Sequence, residues 1–489
     1  MQRSTDIYDT IIIGGGLAGL SCAALLVKSG QKVVLLEKNW QLGGYATSYE
    51  VKGHRFDIAI QAIGGCDPDG AVYRLLDTLN IKHKVRFLQC EPARIYYFDE
   101  SNTPWEQSGF LESLIQSLCS RFPDYKNAII KCYEMFSGIM TELGSIAAPD
   151  SSMAAFGFTK SYPLLAAYGD YTVKQFLDEL NMPEALQDLI TARSGYCMLK
   201  PDQLSMIGYA CTEMTYSLGA WMVEGGIKSL VNAIGESILE NGGRIEKRTK
   251  AIRIQTKDGC VDSVATQDGK MLTAKQVVVA AAVGPALEKW LDSPHLLSDR
   301  YRKKLAAMKP TGSYYIAYYR THTETVKGLR PNIEVRFDET KETNPWVSGV
   351  YYLMIPSLVD SSAAPPDSHC LCLSVPCPPG VQLSAVDRRA CRTFLEAKTA
   401  DRFPQLKGKL DYLFELGPVN LAAMSGNPMG SAYGWAHIPK QSGIKRLNIK
   451  TPVPGLYLAG HWSMPGGGIP GVMTSGQLCA QAILNDTLN

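Results

Sequence analysis

The 489-residue sequence lacks several features that would place a chain in a special class of protein. It has no purely apolar run of about 18 or more residues, so a membrane-spanning helix is not expected. Its net charge is only +2 at pH 7, and no basic run is long enough to indicate nucleic-acid binding. The short apolar run near the N-terminus leads into a glycine turn instead of a cleavage site, which argues against a signal peptide.

The sequence also lacks the residue spacing of a disulfide framework, a zinc site or a hydrolase. Its 13 cysteines are scattered and odd in number, which favours reduced thiols in a cytoplasmic setting. His369, Cys370, Cys372 and Cys377 contain no C-x-x-C pair, so the segment is better interpreted as a strand with small apolar cysteines, and no metal is predicted. Without a Ser-His-Asp set, paired carboxylates or an H-E-x-x-H helix, hydrolysis is disfavoured.

The most informative segment that is present is a glycine-rich turn near the N-terminus. Residues 11–13 predict a buried strand and residues 20–27 a helix. Between them, Gly14, Gly16 and Gly19 have the G-x-G-x-x-G spacing of a dinucleotide-binding turn. The first glycine permits the turn, the second lets the backbone approach a pyrophosphate, and the third lets the helix pack against the strand. The helix N-terminus would then face the pyrophosphate with free N–H groups.

The residues that follow this turn favour a flavin over a nicotinamide cofactor. Residues 32–37 predict a second strand, which ends in Glu37 at about the separation expected for a carboxylate that hydrogen-bonds an adenosine ribose. Residues 42–48 form a second glycine-rich turn, which nicotinamide-binding folds do not need and which flavin enzymes with an extended FAD commonly carry. A strand–helix–strand unit with incidental glycines is the less favoured alternative.

A second strand–turn–helix segment lies near the C-terminus. Residues 455–462 predict a buried strand that stops at Gly460, residues 466–472 a glycine-rich turn, and residues 473–484 a helix. Backbone N–H groups at this turn would face N1 and the C2 carbonyl of a flavin, where negative charge accumulates on reduction. An ordinary strand–turn–helix unit would not need so many glycines beside a rigid Ile-Pro pair.

Between these two segments the chain predicts a second domain that it enters twice. The predicted fold class is α/β, with a Rossmann-like FAD-binding domain interleaved with an α+β substrate domain. The predicted FAD-binding domain comprises residues 1–80, 220–290 and 446–489. The predicted substrate-binding domain comprises residues 81–219 and 291–445.

Two apolar segments of the substrate domain have two interpretations each. The first is a stripe at helical spacing, formed by Ile129, Tyr133, Phe136, Met140 and Leu143. It favours a buried helix face over a ligand-binding surface. The second, residues 156–168, is aromatic and interrupted by Gly and Pro, and would either cover the core or form a lipid-facing edge over an apolar tunnel. The predicted location is cytoplasmic, with peripheral membrane contact left open and no prediction of the oligomeric state.

In combination these segments resemble a known family: FAD-dependent phytoene desaturases, carotenoid isomerases and retinol saturases, which are relatives of the flavin amine oxidases. The resemblance rests on residues 9–48, 53–57, 224–254 and 454–483, and the Gly-Gly-Gly-Ile-Pro-Gly-Val ending is similar to the isomerase and saturase branch. It implies FAD, bound in a glutathione-reductase-type domain. The implied contacts to its ADP half are Gly14, Gly16, Leu17, Ala18, Gly19, Glu37, Lys38, Gly43, Gly44, Tyr45, Thr47 and, through its backbone, Ile252. The implied contacts to its ribityl chain and flavin ring are Gly460, His461, Gly468, Ile469 and Val472.

Two positions depart from the pattern of this family. His461 stands where relatives often have an acidic residue, and a neutral imidazole there could accept or donate a hydrogen bond. After Phe56 and Asp57, relatives commonly continue with a glycine, whereas this chain continues with Ile58-Ala59-Ile60-Gln61. Because that stretch approaches the flavin and the substrate, the identity of the substrate is left open.

The resemblance implies an oxidoreductase that desaturates, saturates or isomerises carbon–carbon bonds of an apolar polyene or isoprenoid-like substrate. The alternatives are an amine-oxidase-like enzyme, a tailoring enzyme for a polyene natural product, and an escort protein that binds a lipid without flavin. The candidate proton-transfer groups are His54, Arg55, Gln61, His437 and His461. Residue spacing selects none of them, and His461 is named as the one candidate catalytic residue.

Overall fold

The computed structural model describes residues 2–58, 62–98, 103–146, 155–338, 340 and 349–488. Its strands are β1 (Gln2–Ile13), β2 (Val33–Leu36), β3 (Ser48–Val51), β4 (His54–Asp57), β5 (Phe87–Cys90), β6 (Arg94–Tyr97), β7 (Trp105–Gln107), β8 (Ala220–Val223), β9 (Arg244–Glu246), β10 (Ala251–Lys257), β11 (Cys260–Thr266), β12 (Lys270–Val279), β13 (Ser313–His322), β14 (Asn332–Arg336), β15 (Val350–Met354), β16 (Ser368–Cys377), β17 (Asp411–Leu416) and β18 (Leu456–Leu458). Its helices are α1 (Leu17–Lys28), α2 (Ala71–Thr78), α3 (Leu111–Arg121), α4 (Lys126–Ser145), α5 (Ala155–Ser161), α6 (Pro163–Tyr168), α7 (Val173–Glu179), α8 (Glu184–Ile190), α9 (Met206–Tyr216), α10 (Ile227–Glu240), α11 (Val283–Pro285), α12 (Asp299–Ala307), α13 (Ala385–Arg402), α14 (Pro418–Ser425) and α15 (Ile469–Leu488).

The first sheet is built around the buried second half of β1. Its parallel strands lie in the order β18–β12–β1–β2–β9. Alternate residues face opposite layers: Ile12 and Leu35 pack with α1, α10 and α15, whereas Ile11 and Val34 belong to the core on the other face. A sheet covered on both faces needs apolar residues at every position, which explains the continuous apolar runs of β1 and β2.

The β10–β11 hairpin extends this sheet beside the first half of β12. Ser263–Ala265 of β11 pair with the first part of β12, and Leu456–Leu458 of β18 pair with Val277–Val279 at its end. Strands β10 and β11 pair as an antiparallel hairpin around Asp258 and Gly259. The result is that β12 ends beside β1, where the glycine turn begins, and β18 ends beside β12.

The second sheet has the order β17–β13–β16–β15–β14–β6–β7 and is antiparallel except where β14 meets β6. Two of its strands, β13 and β15, are rich in aromatic residues. The segment of His369, Cys370, Cys372 and Cys377 lies in β16, as the strand interpretation predicted, and pairs with β13 and β15. One face of this sheet packs against α13, and Tyr314, Ile316 and Tyr318 lie on the other.

The helical part of the chain adjoins the second sheet. In the predicted α4 stripe, Ile129, Tyr133 and Phe136 are fully buried in a core shared with α3, α7, α8 and α9, so the buried-face interpretation is confirmed for them. Met140 and Leu143, one and two turns further along, line the large cavity described below. The first part of α4 therefore packs in the core, and its C-terminal part lines a cavity.

The aromatic segment after α4 packs onto that helix. Leu165 is buried, and the N–H groups of Leu164 and Leu165 donate to the two carboxylate oxygens of Glu142, both at 2.9 Å. Tyr162 and Tyr168 are only partly buried against the core. The core-covering interpretation thus describes the packing of α6. Among the helices of the described residues, none has the length and apolar character needed to span a membrane.

The strands of the two sheets follow the predicted division of the chain. The strands of the first sheet fall within residues 1–80, 220–290 and 446–489, and those of the second within residues 81–219 and 291–445. The domain boundaries themselves stay a prediction. One helix boundary was predicted wrongly, since α15 begins at Ile469 and not near residue 473. Pro470 is tolerated in the first turn because the N–H groups there have no partner within the helix, so the missing N–H of proline costs nothing.

Candidate functional site

The first glycine turn brings the end of β1 into direct contact with α1 and β12. A Cβ atom at Gly14 would collide with the carbonyl group of Ala280, and the φ of Gly14 is +115°. A Cβ atom at Gly19 would collide with the carbonyl oxygen of Gly14. The turn therefore has no room for side chains at these positions, and Gly19 permits the helix–strand packing that its spacing predicts.

The N-terminus of α1 is open to an anionic ligand. Gly16 is the N-cap, no side chain caps the helix, and its first turn holds no acidic residue. Gly16, Leu17 and Ala18 all line the cavity. Because the first N–H groups of a helix have no partner within it, this end of α1 offers donors and a positive dipole end to a pyrophosphate.

Glu37 and the second glycine turn complete this end of the site. The carboxylate of Glu37 is buried and accepts the N–H of Gly15 at 2.8 Å and that of Asn39 at 2.7 Å. The N–H of Gly43 donates to the carbonyl oxygen of Gly15 at 2.8 Å, which joins the two turns. Glu37 still lines the cavity and, with about four lone-pair sites on a carboxylate, keeps capacity for ribose hydroxyls.

The C-terminal glycine turn lies beside the N-terminal one. The N–H of Gly460 donates to Oγ of Ser475 on α15 at 2.9 Å, which ties the end of β18 to that helix. A Cβ atom at Gly460 would lie 3.4 Å from Cβ of Ala18 on α1. The two turns, from opposite ends of the sequence, thus face the same space.

That space is a cavity of about 1590 Å³. The predicted cofactor residues that line it are Gly14, Gly16, Leu17, Ala18, Glu37, Lys38, Gly43, Gly44, Tyr45, Gly460, His461, Gly468, Ile469 and Val472. Both glycine turns therefore contribute to one wall, as an extended dinucleotide bound at both ends requires. The space that a Cβ atom would fill at Gly16 and Gly468 is open, so these residues fit FAD.

Three predicted cofactor residues lie away from the cavity wall. Gly19 acts through packing, and Thr47 is buried, with its carbonyl oxygen accepting the N–H of Ile58 at 2.9 Å. Ile252 lies on β10 with its side chain 37% exposed, and the wall is formed instead by Thr249, Lys250 and Ala251. Ile252 is therefore not part of this wall, which the chain meets just before and at the start of β10, and its backbone contact with the ADP half of FAD stays a prediction.

The cavity continues beyond the glycine turns into an apolar arm, which the sequence did not reveal. Its wall includes Met140, Leu143, Ile146, Tyr196, Ile207, Met214, Tyr216, Tyr314, Ile316, Met354 and Tyr433. Tyr196 and Tyr216 are stacked with ring centroids 4.7 Å apart, and the guanidinium of Arg94 lies 4.4 Å from the Tyr196 centroid. These residues come from both visits to the substrate domain and from several elements, so no sequence spacing could have grouped them.

Asp57 is a cavity residue for which the sequence suggested no role. Its carboxylate oxygens Oδ2 and Oδ1 lie 3.0 and 3.1 Å from the backbone N of Ile227, at the start of α10. Oδ1 also accepts a hydrogen bond from the hydroxyl of Ser48 at 2.6 Å. Burial raises the pKa of Asp57, an effect that the hydrogen bond from Ser48 opposes. The residue joins β4 to the N-terminus of α10. A Cβ atom at Gly226 would lie 2.8 Å from Oδ1 of Asp57, which explains the glycine before that helix.

His461 lines the cavity but is poorly suited to acid–base chemistry. Burial, together with the charge of Arg446, lowers its pKa to about 3, so the imidazole is neutral near pH 7. Its Nε2 lies 3.3 Å from Oδ1 of Asn427. The same oxygen accepts a hydrogen bond from the indole Nε1–H of Trp462 at 3.0 Å. A catalytic role for His461 stays a prediction, and the geometry favours a neutral hydrogen-bonding residue.

The other candidate proton-transfer groups have structural partners or lie outside the described residues. His54 is buried, with Nε2 2.7 Å from Oγ of Ser368, and Arg55 pairs with Asp360 at 2.5 Å. His437 lines the cavity. Gln61, with the neighbouring residues 59 and 60, lies outside the described residues.

We expect stability to fall as the pH drops below about 6.5 because of His437 and His461. Burial and the charge of Arg446 lower the pKa of each from 6.5 to about 3, so the unfolded chain binds more protons between these values. The stability contributed by the two neutral imidazoles is fully present above the histidine pKa of the unfolded chain. It is lost as the pH falls below that pKa, by up to about 1.4 kcal/mol per pH unit per histidine. Urea unfolding between about pH 6.5 and pH 5 measures this slope, above the range in which carboxylates titrate.

His437→Asn is the matched variant for this effect, since it removes one of the two titrating groups. We expect a flatter dependence of the unfolding free energy on pH for this variant. An unchanged slope would contradict the assignment. His322→Asn, at an exposed position on β13, should leave the slope as it is.

Comparison with known proteins agrees with this geometry. The sequence profile of the family described as flavin containing amine oxidoreductase matches residues 17–484. A carotenoid 3,4-desaturase from Haloarcula japonica is 25% identical over 507 residues, covering 98% of this chain and 98% of that protein. A chloroplastic prolycopene isomerase from Daucus carota is 24% identical, covering 99% of this chain and 81% of that protein. The solved structure of cyclohexylamine oxidase from Brevibacterium oxydans has a TM-score of 0.63 at 16% identity, covering 99% of this chain and 100% of that one.

These similarities confirm the fold class and the cofactor predicted from the glycine turns. The fold is α/β, with a Rossmann-like FAD-binding domain and a substrate domain. The cofactor is FAD. The likeness to the amine oxidase structure concerns the fold alone, whereas the two sequence relatives support the resemblance to carotenoid desaturases and isomerases.

Proposed function

The chain belongs to the flavin containing amine oxidoreductase family, and on that premise we propose that it acts on carbon–carbon bonds of an apolar polyene or isoprenoid-like substrate. One observation carries this proposal: the space beside the glycine turns continues into an arm walled by apolar and aromatic side chains. An arm of this composition suits a long hydrocarbon chain better than a small charged amine.

The residues proposed to hold FAD are those of the two glycine turns together with Glu37. When bound, FAD supplies two-electron redox chemistry. Desaturation would transfer two electrons from the substrate to the flavin, saturation would transfer two electrons to the substrate, and isomerisation would involve no net transfer. The protein residues of the arm would exclude water and align a polyene. Asp57 and Glu37 already accept backbone N–H groups, so part of the hydrogen-bonding capacity of these two carboxylates is used within the protein.

We expect the purified protein to show a flavin absorbance spectrum and to convert a carotenoid polyene supplied in lipid vesicles. In anaerobic incubations, a more conjugated product formed with a quinone acceptor would identify desaturation, and a more saturated product formed with a reductant would identify saturation. An isomer with an unchanged number of double bonds would identify isomerisation. Product analysis by chromatography with absorbance detection identifies which reaction occurs. Oxidation of amines with release of hydrogen peroxide, while every polyene is left untouched, would overturn the proposal in favour of the amine-oxidase alternative. A colourless protein that releases no flavin on heating would favour the escort alternative.

Gly144→Phe is a matched variant for the substrate arm. Gly144 lines the cavity on α4, and no atom lies within 4 Å of its ideal Cβ position, so an added Cβ atom meets no obstacle there. We expect the variant to keep its flavin spectrum and to convert the polyene more slowly, because the new ring would obstruct the arm.

Contact with a membrane surface is part of the same proposal. A long apolar polyene partitions into lipid, and the partly buried aromatics of α6 pack on α4, whose last turns line the cavity. Sedimentation of the vesicles in the assay above reports whether the protein binds them. The cytoplasmic location predicted from the cysteine pattern stays a prediction.

A further inference from the structure

Arg446 is a fully buried cation directly behind the cavity wall. Its side chain is 0% exposed. Its Nε donates to the carbonyl oxygen of Ser463 at 3.2 Å, and both Nη1 and Nη2 donate to that of Trp435, at 3.1 and 3.2 Å. Nη2 also donates to the carbonyl oxygen of His461 at 2.7 Å. One guanidinium therefore joins two loops that contribute to the cavity wall, residues 432–437 and 460–468.

The positive charge of Arg446 is not neutralised by a carboxylate among the residues that the structure describes, where its hydrogen bonds all go to carbonyl oxygens. The titratable groups that face it are uncharged at neutral pH. Burial raises the pKa of Cys211 to about 12, and burial with the charge of Arg446 lowers the pKa of His437 and of His461 to about 3. Burial lowers the pKa of Arg446 itself only to about 10, so the guanidinium stays protonated.

A second cation lies on the other side of Arg446. Nζ of Lys304, on α12, donates to the backbone carbonyl oxygen of Arg446 at 2.9 Å. Burial and the charge of Arg300 lower the pKa of Lys304. No carboxylate in the described part of the chain forms an ion pair with either group. This side of the wall therefore carries two basic side chains whose charge no ion-paired carboxylate offsets.

The location of this charge is close to the start of α15. An ideal Cβ atom on Gly466 would lie 3.5 Å from Cζ of Arg446 and in contact with His437. Gly466 leads through Gly467 and Gly468 into α15 at Ile469. The guanidinium and the positive end of the helix dipole thus act on the same part of the wall, where exclusion of water weakens screening.

We propose that Arg446 raises the reduction potential of the bound flavin, by stabilising the negative charge that the pyrimidine part of the ring gains when it is reduced. The same charge would strengthen the binding of sulfite, which adds to oxidised flavin and leaves a negative charge on the ring. The proposal concerns the cofactor and does not depend on the identity of the substrate. Its failure and that of the proposed function are therefore distinguishable.

The test compares FAD-loaded wild-type protein with Arg446→Gln and Arg446→Lys, using sulfite titration and reduction in the presence of a reference dye. We expect Arg446→Gln to bind sulfite about tenfold more weakly and to shift the ratio of reduced to oxidised flavin about tenfold towards the oxidised form, which corresponds to about 30 mV for a two-electron couple. Arg446→Lys keeps the charge and should behave like the wild type. If both variants change sulfite binding and flavin reduction equally, or if neither changes them, the proposal is wrong and Arg446 only links two loops.

Lys445→Gln is the matched control, because it removes the same charge one residue away. Lys445 faces outward and pairs with Asp170 at 2.6 Å, so its loss should leave sulfite binding unchanged. If Arg446→Gln does not fold, the reduced wild-type protein still provides a test that can overturn the proposal. Its absorbance should remain that of the anionic reduced flavin at pH values where free reduced flavin is protonated at N1. Protonation at the pH of free flavin would overturn the proposal.

Discussion

Gly16→Ala is expected to weaken FAD binding about 100-fold while leaving the fold of the protein intact. In the structure the nearest atom to an ideal Cβ on Gly16 is the carbonyl oxygen of Gly43, at 3.9 Å, and the φ of −74° suits any residue. The added methyl group would therefore occupy space inside the cavity. That space is where a phosphate must approach the N-terminus of α1, and overpacking of such a contact costs up to about 3 kcal/mol.

The measurement is a titration of apoprotein with FAD, followed by quenching of flavin fluorescence, with circular dichroism to verify folding. Gly284→Ala is the matched control: no atom lies within 4 Å of its ideal Cβ position, and it belongs to α11, outside the glycine turns. We expect this variant to bind FAD normally. Wild-type affinity in Gly16→Ala would contradict the assignment of this turn to the pyrophosphate.

Glu213→Ala is expected to lower the free energy of unfolding by about 3–5 kcal/mol, because it would leave Arg193 buried and unpaired. Glu213 and Arg193 are 0% and 2% exposed, and Oε1 of Glu213 lies 2.9 Å from Nη1 of Arg193. Tyr209 donates its hydroxyl to Oε2 of Glu213 at 3.1 Å. The guanidinium of Arg193 lies 5.6 Å from the ring centroid of Tyr216, so the loss would also disturb the wall of the apolar arm.

Urea unfolding of the two proteins at the same pH measures this loss. The control is Lys174→Gln, which breaks an exposed ion pair with Asp178 on α7. Exposed pairs within a helix contribute little, so this variant should unfold at the wild-type urea concentration. A loss below about 1 kcal/mol in Glu213→Ala would mean that water or another group solvates Arg193 in the mutant.

The cofactor half of the site could be predicted because its determinants are local in sequence. Gly14, Gly16 and Gly19 lie within six positions, and their spacing follows from the geometry of one strand, one turn and one helix. Glu37 lies at the end of the next strand of the same unit. Each prediction needed only neighbouring residues. In the structure Gly14, Gly16 and Glu37 line one cavity, and Gly19 acts through packing.

The apolar arm could not be predicted because its residues meet only through tertiary packing. Met140 and Leu143 continue the stripe of Phe136, and periodicity cannot distinguish a helix face that meets a core from one that meets a cavity. Tyr314 and Tyr433 come from distant segments with no shared spacing. The absence of Ile252 from the cavity wall has a related cause. The cavity meets the chain just before β10 and at its first residue, and this depends on how the β10–β11 hairpin is placed on the sheet.

The contact between Gly460 and Ala18 has a consequence for the order of events during synthesis. The flavin site can close only after β18 and α15 have been synthesised, since α15 must pack on α1 and β18 must join the sheet. Cofactor capture therefore follows the synthesis of this segment, and a chain that stops short of Gly460 cannot retain flavin.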